Sequence, residues 1–394
     1  MDTSNPTHKK VLSLLCASVF VGILTAGLWP FHAPKNEVSW LNNGNGLHFG
    51  KYGVILSSQS FSLAGLKDGI SCSVEIWLQP ARIDTGGTLL AFYSPENRIV
   101  AFSLDQSLDD LFLRRITVYR QRRAKTKWYI ANIFRKNKQV IVTITSSTQG
   151  TAVYVNGILA GTSPRFGLSS KDLTGQLVIG NHPLADNGWQ GQLKGLAIYN
   201  RELTPAEVLQ HYVSWTTNQQ AEIKNEDPAA LYLCNEGAGN VLHSQMNSGN
   251  DLHIPERYSV MDASFLELPW DEFEPSWGYC KNVLINISGF VPLGFFFCAY
   301  FSSVRRLDRA VLATIVLGGV VSFAIEVLQA FLPTRDSGMT DIITNTLGAA
   351  IGAILCNCES VQAQFATLGV GGRMRDFVHK RLKRLYAEVR AKGA

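Results

Sequence analysis

Four stretches of this chain are too apolar to stand in water as separate elements. Val11–Leu28 is eighteen uncharged, mostly apolar residues, and Asn282–Phe301, Ala310–Leu332 and Asp341–Cys358 follow much later. At about 1.5 Å per helical residue, each run can cross or nearly cross a hydrocarbon layer of about 30 Å. Lipid offers the backbone no hydrogen-bond partners, so runs of this kind are helices. Basic residues orient them. Lys9 and Lys10 precede the first run, and Arg305, Arg306 and Arg309 separate the second from the third. After the fourth, Arg373–Lys392 holds eight Lys/Arg against two acids, a net of +6 in a chain of +5, so the remainder is −1. One topology places all three basic groups in the cytoplasm. Both termini are then cytoplasmic, and both the region between the first two runs and the Pro333–Thr340 loop lie outside. No small-x-small cleavage site precedes Trp29-Pro30, so the first run reads as an uncleaved anchor. Cleavage would leave the outside placement unchanged.

Polar groups interrupt the last two runs in a pattern. In Ser322–Gly352 two apolar helices are joined by a short polar turn that begins where Pro333 stops the first. Glu326 and Gln329 are three apart on one face; Asp341 and Asn345 are four apart on another. A carboxylate in an apolar span costs about 2–4 kcal/mol, so such groups face a partner or a site. In the topology above, Asn286 lies about 6 Å inside the outer start of its span and Glu326 about 9 Å below the outer end of the next. Asp341 and Asn345 open the last. The expectation is one polar layer near the outer leaflet, with Gly348, Ala349, Ala350 and Gly352 allowing close helix approach. Arg335 is the expected counter-charge. Glu326 and Asp341 are the candidate acid–base pair; Asn286, Glu326, Gln329, Arg335, Asp341 and Asn345 are the candidate binding set. The competing reading is that these groups are helix caps and packing contacts.

The middle of the chain follows a different rule. Ser71–Leu78, Gly87–Phe92, Val140–Ile144, Thr151–Val155 and Gly175–Gly180 are short, alternating and turn-bounded, and Asn156-Gly157 is a hairpin turn. Many short strands with almost no helical periodicity predict a β-sandwich. Thr204, Pro205 and Glu207 mark the N-terminus of one short helix. Residues 114–138 carry ten Lys/Arg and no acid, with Tyr119, Trp128 and Tyr129 interleaved. Such a ribbon attracts an anionic polysaccharide or lipid headgroups; the alternative is a solvated edge hairpin that uses charge against edge pairing. Arg120, Arg122, Arg123, Trp128 and Trp189 are the candidate contacts, with Asp186 and Asn187 near Trp189 at a loop rim. Nucleic acid is excluded as a partner by the exported placement.

Two resemblances rest on these residues. Ser73–Pro80 (SVEIWLQP), Thr151–Gly161 (TAVYVNGILAG) and Leu177–Tyr212, with its IGN and WQGQLKGLAIYNREL, resemble a laminin-G or concanavalin A-like jelly roll. That likeness implies a fold used for glycan binding, protein binding or spacing. Asn286, Gly289–Gly294 (GFVPLG), Glu326, Gln329, Pro333, Arg335, Ser337, Asp341, Asn345–Gly348 (NTLG) and Gly352 resemble the VanZ-like family over Gly278–Cys358. Val11–Leu28 then corresponds to that family's preceding span, with the jelly roll inserted between. The family is named for a protein linked to teicoplanin resistance, which implies an envelope role without a reaction. Lys281 alone approaches Asn282, a departure from the acidic-plus-His pattern of the family.

The fold class expected is therefore mixed: an extracytoplasmic all-β jelly roll plus an α-helical membrane domain of four spans. The divisions are 1–30 as anchor, 36–217 as sandwich, 218–277 as a juxtamembrane segment or extra strands of the sandwich, 278–360 as the VanZ-like spans, and 361–394 as a basic amphipathic tail. Cys72, Cys234 and Cys280 fall outside, where a Cys72–Cys234 bridge and buried thiols are both open. No metal-ligand spacing, phosphate loop or nucleophile elbow is present, and no cofactor is expected. The expected protein is a multi-pass protein of a bacterial inner membrane. Its sandwich binds a glycan or other surface polymer, and its spans handle or anchor to an envelope lipid or lipid-linked precursor. The alternative is a membrane enzyme acting on a lipid-linked sugar or phosphate through Glu326 and Asp341.

Overall fold

The computed structural model describes residues 6–42, 44–61, 71–119, 122–217, 219–246, 249–262, 265–273, 277–303, 307–335 and 337–357. The amphipathic tail expected over 361–394 lies outside them. The chain divides into two compact units, Ala33–Ala263 and Met1–His32 with Ser264–Ala394.

The first unit is a sandwich of two antiparallel sheets. In chain order its strands are β1 (Val38–Trp40), β2 (Leu47–Phe49), β3 (Ile55–Ser57), β4 (Cys72–Pro80), β5 (Gly87–Ser94), β6 (Ile99–Ser107), β7 (Asp110–Tyr119), β8 (Arg122–Ile130), β9 (Val140–Ser147), β10 (Gly150–Val155), β11 (Ile158–Ser163), β12 (Gln176–Ile179), β13 (Gly191–Tyr199), β14 (Ala230–Tyr232), β15 (Val241–Leu242) and β16 (Leu252–His253). One sheet runs β1-β2-β13-β4-β9-β10-β11, with β14 also on β13; the other runs β15-β16-β3-β12-β5-β6-β7-β8. Their inner faces bury Phe49, Phe61, Phe92, Phe102, Leu104 and Ile144. The segment after residue 218 thus contributes strands to both sheets, through β14 beside Leu196–Ile198 and β16 beside Leu56–Ser57. The expected hairpin forms at Asn156-Gly157, both at positive φ (51° and 80°), as a tight two-residue turn requires.

The sequence alternation implies one wet face, yet β4 and β9 are buried on both. The reason is a helix lying on the first sheet. In whole-chain numbering, α2 (Pro205–Thr216) starts at the capping box: Glu207 N donates to Thr204 Oγ1 at 3.3 Å, and Thr204 N to Glu207 Oε2 at 2.6 Å. Val208, His211 and Trp215 face Ile141, Ala197 and Tyr199 of the sheet. A bulge at Leu193/Gly195 leaves Gly195 under the Trp215 ring, where a Cβ would collide. A short α3 (Gln220–Asn225) follows.

That covered face encloses a charge. Glu75 on β4 is fully buried and accepts from His211 Nδ1 at 3.1 Å, Trp215 Nε1 at 3.3 Å, Thr143 Oγ1 at 3.2 Å and Tyr199 OH at 3.4 Å. A carboxylate without water needs such a set of donors. Burial alone would lower the His211 pKa, but the Glu75 hydrogen bond and charge, aided by Glu226 and Glu207, outweigh it and raise the value. Cys72 and Cys234 are free buried thiols, and burial, with Asp172 nearby, pushes Cys72 up to about 12.

The raised His211 pKa makes a prediction. Its stabilisation is complete below the unfolded histidine value of about 6.5 and is lost as pH rises through the higher folded value. The sandwich melting temperature, followed through the signal of buried Trp215, should fall across that interval. Glu75→Gln should remove this slope and cost about 3–5 kcal/mol.

Candidate functional site

The second unit is built on α1 (Pro6–Leu28), a short α4 (Pro269–Glu272), α5 (Trp277–Ser302), α6 (Leu307–Gln329) and α7 (Met339–Asn357). Four of these, over Lys9–Leu28, Tyr279–Ser302, Arg309–Gln329 and Met339–Asn357, are long and apolar enough to cross a membrane. Glycine sets how closely they pack. A Cβ on Gly348 or Gly352 would strike the carbonyls of Ile287 and Val291 on α5, and one on Gly294 would strike Ala349 O on α7. Gly348 and Gly352, four apart, form the small-residue face that lets two helix backbones meet.

This contact brings the polar residues together. Asn286 Nδ2 on α5 donates to Asp341 Oδ1 at the start of α7, at 2.7 Å. Asn345 Nδ2, one turn on, donates to Ser322 Oγ on α6 at 2.9 Å. Glu326, one turn past Ser322 and only 1% exposed, accepts from Gly338 N at 2.9 Å. Gln329 Nε2 donates to Gly27 O of α1 at 2.9 Å. The C-terminal ends of α1 and α6 and the N-terminal ends of α5 and α7 therefore share one end of the bundle, and every candidate polar residue of the spans lies there. Trp29, Phe31, Trp270, Phe273 and Phe331 are exposed at this same end, as in the aromatic belt of a membrane–water boundary. The 265–273 segment is tied on by Glu267 N to Ser337 O at 3.1 Å and Met339 N to Glu267 O at 2.9 Å.

One role differs from expectation. Arg335 was the expected counter-charge to the carboxylates. Its Nη2 instead donates to the carbonyls of Ala26 and Trp29. These are the acceptors that the end of α1 leaves open, and a cation there also suits the helix dipole. Sequence reasoning also missed Ser322 and Gly338, and named Ser337 only within the family resemblance. Ser322 carried a signal, being four residues before Glu326 on the same helical face; a backbone N–H such as that of Gly338 carries none.

The set keeps both acceptors and a donor unspent, since Arg335 Nε is also buried without a partner among the described residues. The two carboxylates are joined by Gln329 Oε1 and Asn345 Oδ1, both buried and without a hydrogen-bond partner among the described residues; the Thr340 hydroxyl is in the same state. Such a surface suits a ligand that presents hydroxyl or amine protons. No cluster of three or more His, Cys, Asp or Glu able to hold a metal occurs among the described residues.

The ribbon residues of the sandwich fall differently. Arg120 and the side chain of Arg122 lie outside the described residues. Arg123 is exposed on β8. Trp189, expected at a loop rim, is 3% exposed, packs on Phe49 and donates Nε1 to Gln106 Oε1 at 2.8 Å. Trp128 is half-buried against Phe166, its centroid 6.0 Å away, because the pleat turns it with Ile130 toward the core. Neither indole is placed to meet a sugar. The open ring is their neighbour Tyr129, 57% exposed.

Residues 50–209 match the family model described as the concanavalin A-like lectin/glucanases superfamily, and residues 214–360 match that of VanZ/LLP1. The chain thus joins a concanavalin A-like domain to a VanZ-like domain. The four apolar helices of the latter region and the N-terminus make it a multi-pass membrane protein. No curated protein matches the chain. Among solved structures, it is similar to a putative carbohydrate binding protein from Bacteroides ovatus (13% identity, 56% of this chain and 58% of that one, TM-score 0.36). It is also similar to the receptor binding domain of botulinum neurotoxin C/D mosaic serotype (14%, 45% of each chain, 0.32). A third is a SAP-like pentraxin from Limulus polyphemus (14%, 58% and 94%, 0.33). The chain spans about half the length of the first two.

The glycine contacts can be tested against an internal control. Gly289 has open space around it, whereas Gly352 faces the Val291 carbonyl. Gly352→Ala should cost roughly 1–3 kcal/mol through forced separation of α5 and α7. Gly289→Ala should leave the detergent melting temperature unchanged or slightly raised.

Proposed function

We propose that this protein works in a bacterial cell envelope, in the cytoplasmic membrane, with its sandwich on the outer side and both termini in the cytoplasm. In this reading the sandwich holds a glycan or other surface polymer. The helical unit takes the polar head of a membrane lipid or lipid-linked precursor. The observation that carries the reading is the layer made by Glu326, Asp341, Gln329 and Asn345 at the aromatic-rimmed end of the bundle, where two amide oxygens and the Arg335 Nε donor are left unspent. Helix packing alone needs donors and acceptors in balance, and this layer keeps buried amide oxygens unspent. The hydroxyls or amino group of a sugar headgroup supply the missing protons. The lectin character of the matched superfamily supports the polymer role of the sandwich, and the basic residues after α5 support the orientation.

The enzyme alternative assigns acid–base work to Glu326 and Asp341. Binding is favoured because each carboxylate already accepts a fixed donor, Gly338 N or Asn286 Nδ2. Native mass spectrometry of the purified protein separates the readings. Wild type should retain a sugar-bearing lipid, and Glu326→Gln or Asp341→Asn should lose it at unchanged yield. Lipid retained by both variants contradicts the binding role. A fall in yield alone supports packing contacts, and variants that retain lipid but accumulate it unmodified in cells support the enzyme.

A further inference from the structure

The outer face of the β5-β6-β7-β8 sheet carries a group of side chains that the core does not use. The pleat sends Leu111, Leu113 and Ile130 inward, and so sends Phe112, Arg114, Lys125, Lys127 and Tyr129 outward. Register places Phe112 directly opposite Tyr129, Arg114 opposite Lys127, Ile116 opposite Lys125 and Val118 opposite Arg123. Phe112 and Tyr129 stack with centroids 4.1 Å apart and planes at 10°. Arg114 and Lys127 both lie over the Phe112 ring, at 5.1 and 5.9 Å.

Two features of this face are costly for a protein standing alone. Like charges directly opposite across a strand pair repel, and Arg114 faces Lys127 in that way. None of Arg114, Arg123, Lys125 and Lys127 is in an ion pair with a described residue, although the unit forms such pairs elsewhere, as at Arg115–Asp172. Beside Arg114 runs a buried polar chain. Asp105 accepts from Thr88 Oγ1 at 2.5 Å and from Ser103 Oγ at 2.7 Å. Thr88 Oγ1 accepts from Asn187 Nδ2 at 3.0 Å, and Asn187 N donates to Asn181 Oδ1 at 2.9 Å. Asn181 Nδ2, at one end of this chain, and Arg114 Nε, beside Asp105 but not hydrogen-bonded to it, are both buried with no partner among the described residues. Burial pushes the neighbouring His182 down to about 4, with the Arg114 charge adding to the shift, so the imidazole is neutral at pH 7.

Exposed cations without an ion pair and an open aromatic ring together describe one class of ligand. We propose that this face is a binding site for a carboxylated polysaccharide, with sugar rings against Tyr129 and their carboxylates on Arg114, Lys127, Lys125 and Arg123. Outward positions on β8 recur about every 7 Å, so Lys127, Lys125 and Arg123 form a rail for successive rings of one polymer. The site deepens the polymer-binding role proposed above and rests on it. It replaces the half-buried Trp128 and the buried Trp189 with Tyr129 as the stacking ring. An anionic lipid surface would satisfy the cations but has no use for the stacked ring.

The test is biolayer interferometry of the full-length protein in detergent against polygalacturonate and neutral dextran. Polygalacturonate should bind and dextran should not, with affinity falling as salt rises. Tyr129→Ala and Lys127→Gln should each weaken binding about tenfold. Tyr129→Phe, which keeps the stack on Phe112, and Lys171→Gln, an exposed lysine elsewhere, should bind like wild type. An unchanged melting temperature for Lys127→Gln keeps the result independent of folding. Wild-type binding that none of these variants weakens overturns this site while leaving the polymer-binding role intact. Failure of the sandwich to bind any polysaccharide on a broad array overturns both. Displacement of polygalacturonate by vesicles of anionic phosphatidylglycerol, with equal loss in Lys127→Gln and none in Tyr129→Ala, shows a membrane-facing patch and overturns the proposal.

Discussion

Glu326 is a carboxylate buried inside a bundle of apolar helices, and the arrangement of the helical unit follows from how that burial is made tolerable. A charge within a lipid-crossing helix costs up to about 2.5–3.5 kcal/mol, the value at its centre, unless something meets it. The chain meets it with the backbone N–H of Gly338, which requires the α6–α7 turn to fold back over the end of α6. That fold starts α7 beside α5, where Asn286 reaches Asp341. Close packing at Gly348 and Gly352 then holds the distance. The polar contacts set which ends of the helices meet, and the glycines set how near they come.

The sandwich solves a related problem with other means. Glu75 is as buried as Glu326, but it is surrounded by four side-chain donors and lies between a sheet and α2. Every oxygen there is used, and the group reads as structural. In that cluster His211 Nε2 is the one buried polar atom without a partner among the described residues, whereas the helical layer and the β7–β8 face each keep more than one. The layer keeps the amide oxygens of Gln329 and Asn345 and the Arg335 Nε donor, and the sheet face keeps exposed cations without an ion pair. That contrast is what separates the two proposed ligands, a hydroxyl-bearing headgroup for one and an acidic polymer for the other.

Much of this architecture was legible in the residues, for definable reasons. Four apolar runs, Asn156-Gly157 and the Thr204–Glu207 box each carry a local rule, and each formed as its rule requires. The polar layer was legible because Glu326 and Gln329, or Asp341 and Asn345, share a face at fixed spacing and topology alone puts them at one depth. What the sequence hid was direction and partner. Arg335 sits between two acids in sequence order but reaches back to α1, a contact across some 300 residues. Trp189 follows a polar loop, yet packing on Phe49 and the bond to Gln106 draw it into the core. The polar chain from Asn181 to Asp105 was not legible at all, because it joins a loop to two strands far apart in the chain.

The central claim is that side chains from separate spans meet as one polar layer, and a double-mutant cycle on Asn286 and Asp341 tests it most directly. Asn286→Ala, Asp341→Ala and the double variant are compared by thermal unfolding in detergent. If the two side chains bond across α5 and α7, the double variant should be more stable than the sum of the single losses predicts, with a coupling of about 0.6–1.7 kcal/mol. Strictly additive losses would mean that the two spans do not meet there, and the layer would not exist.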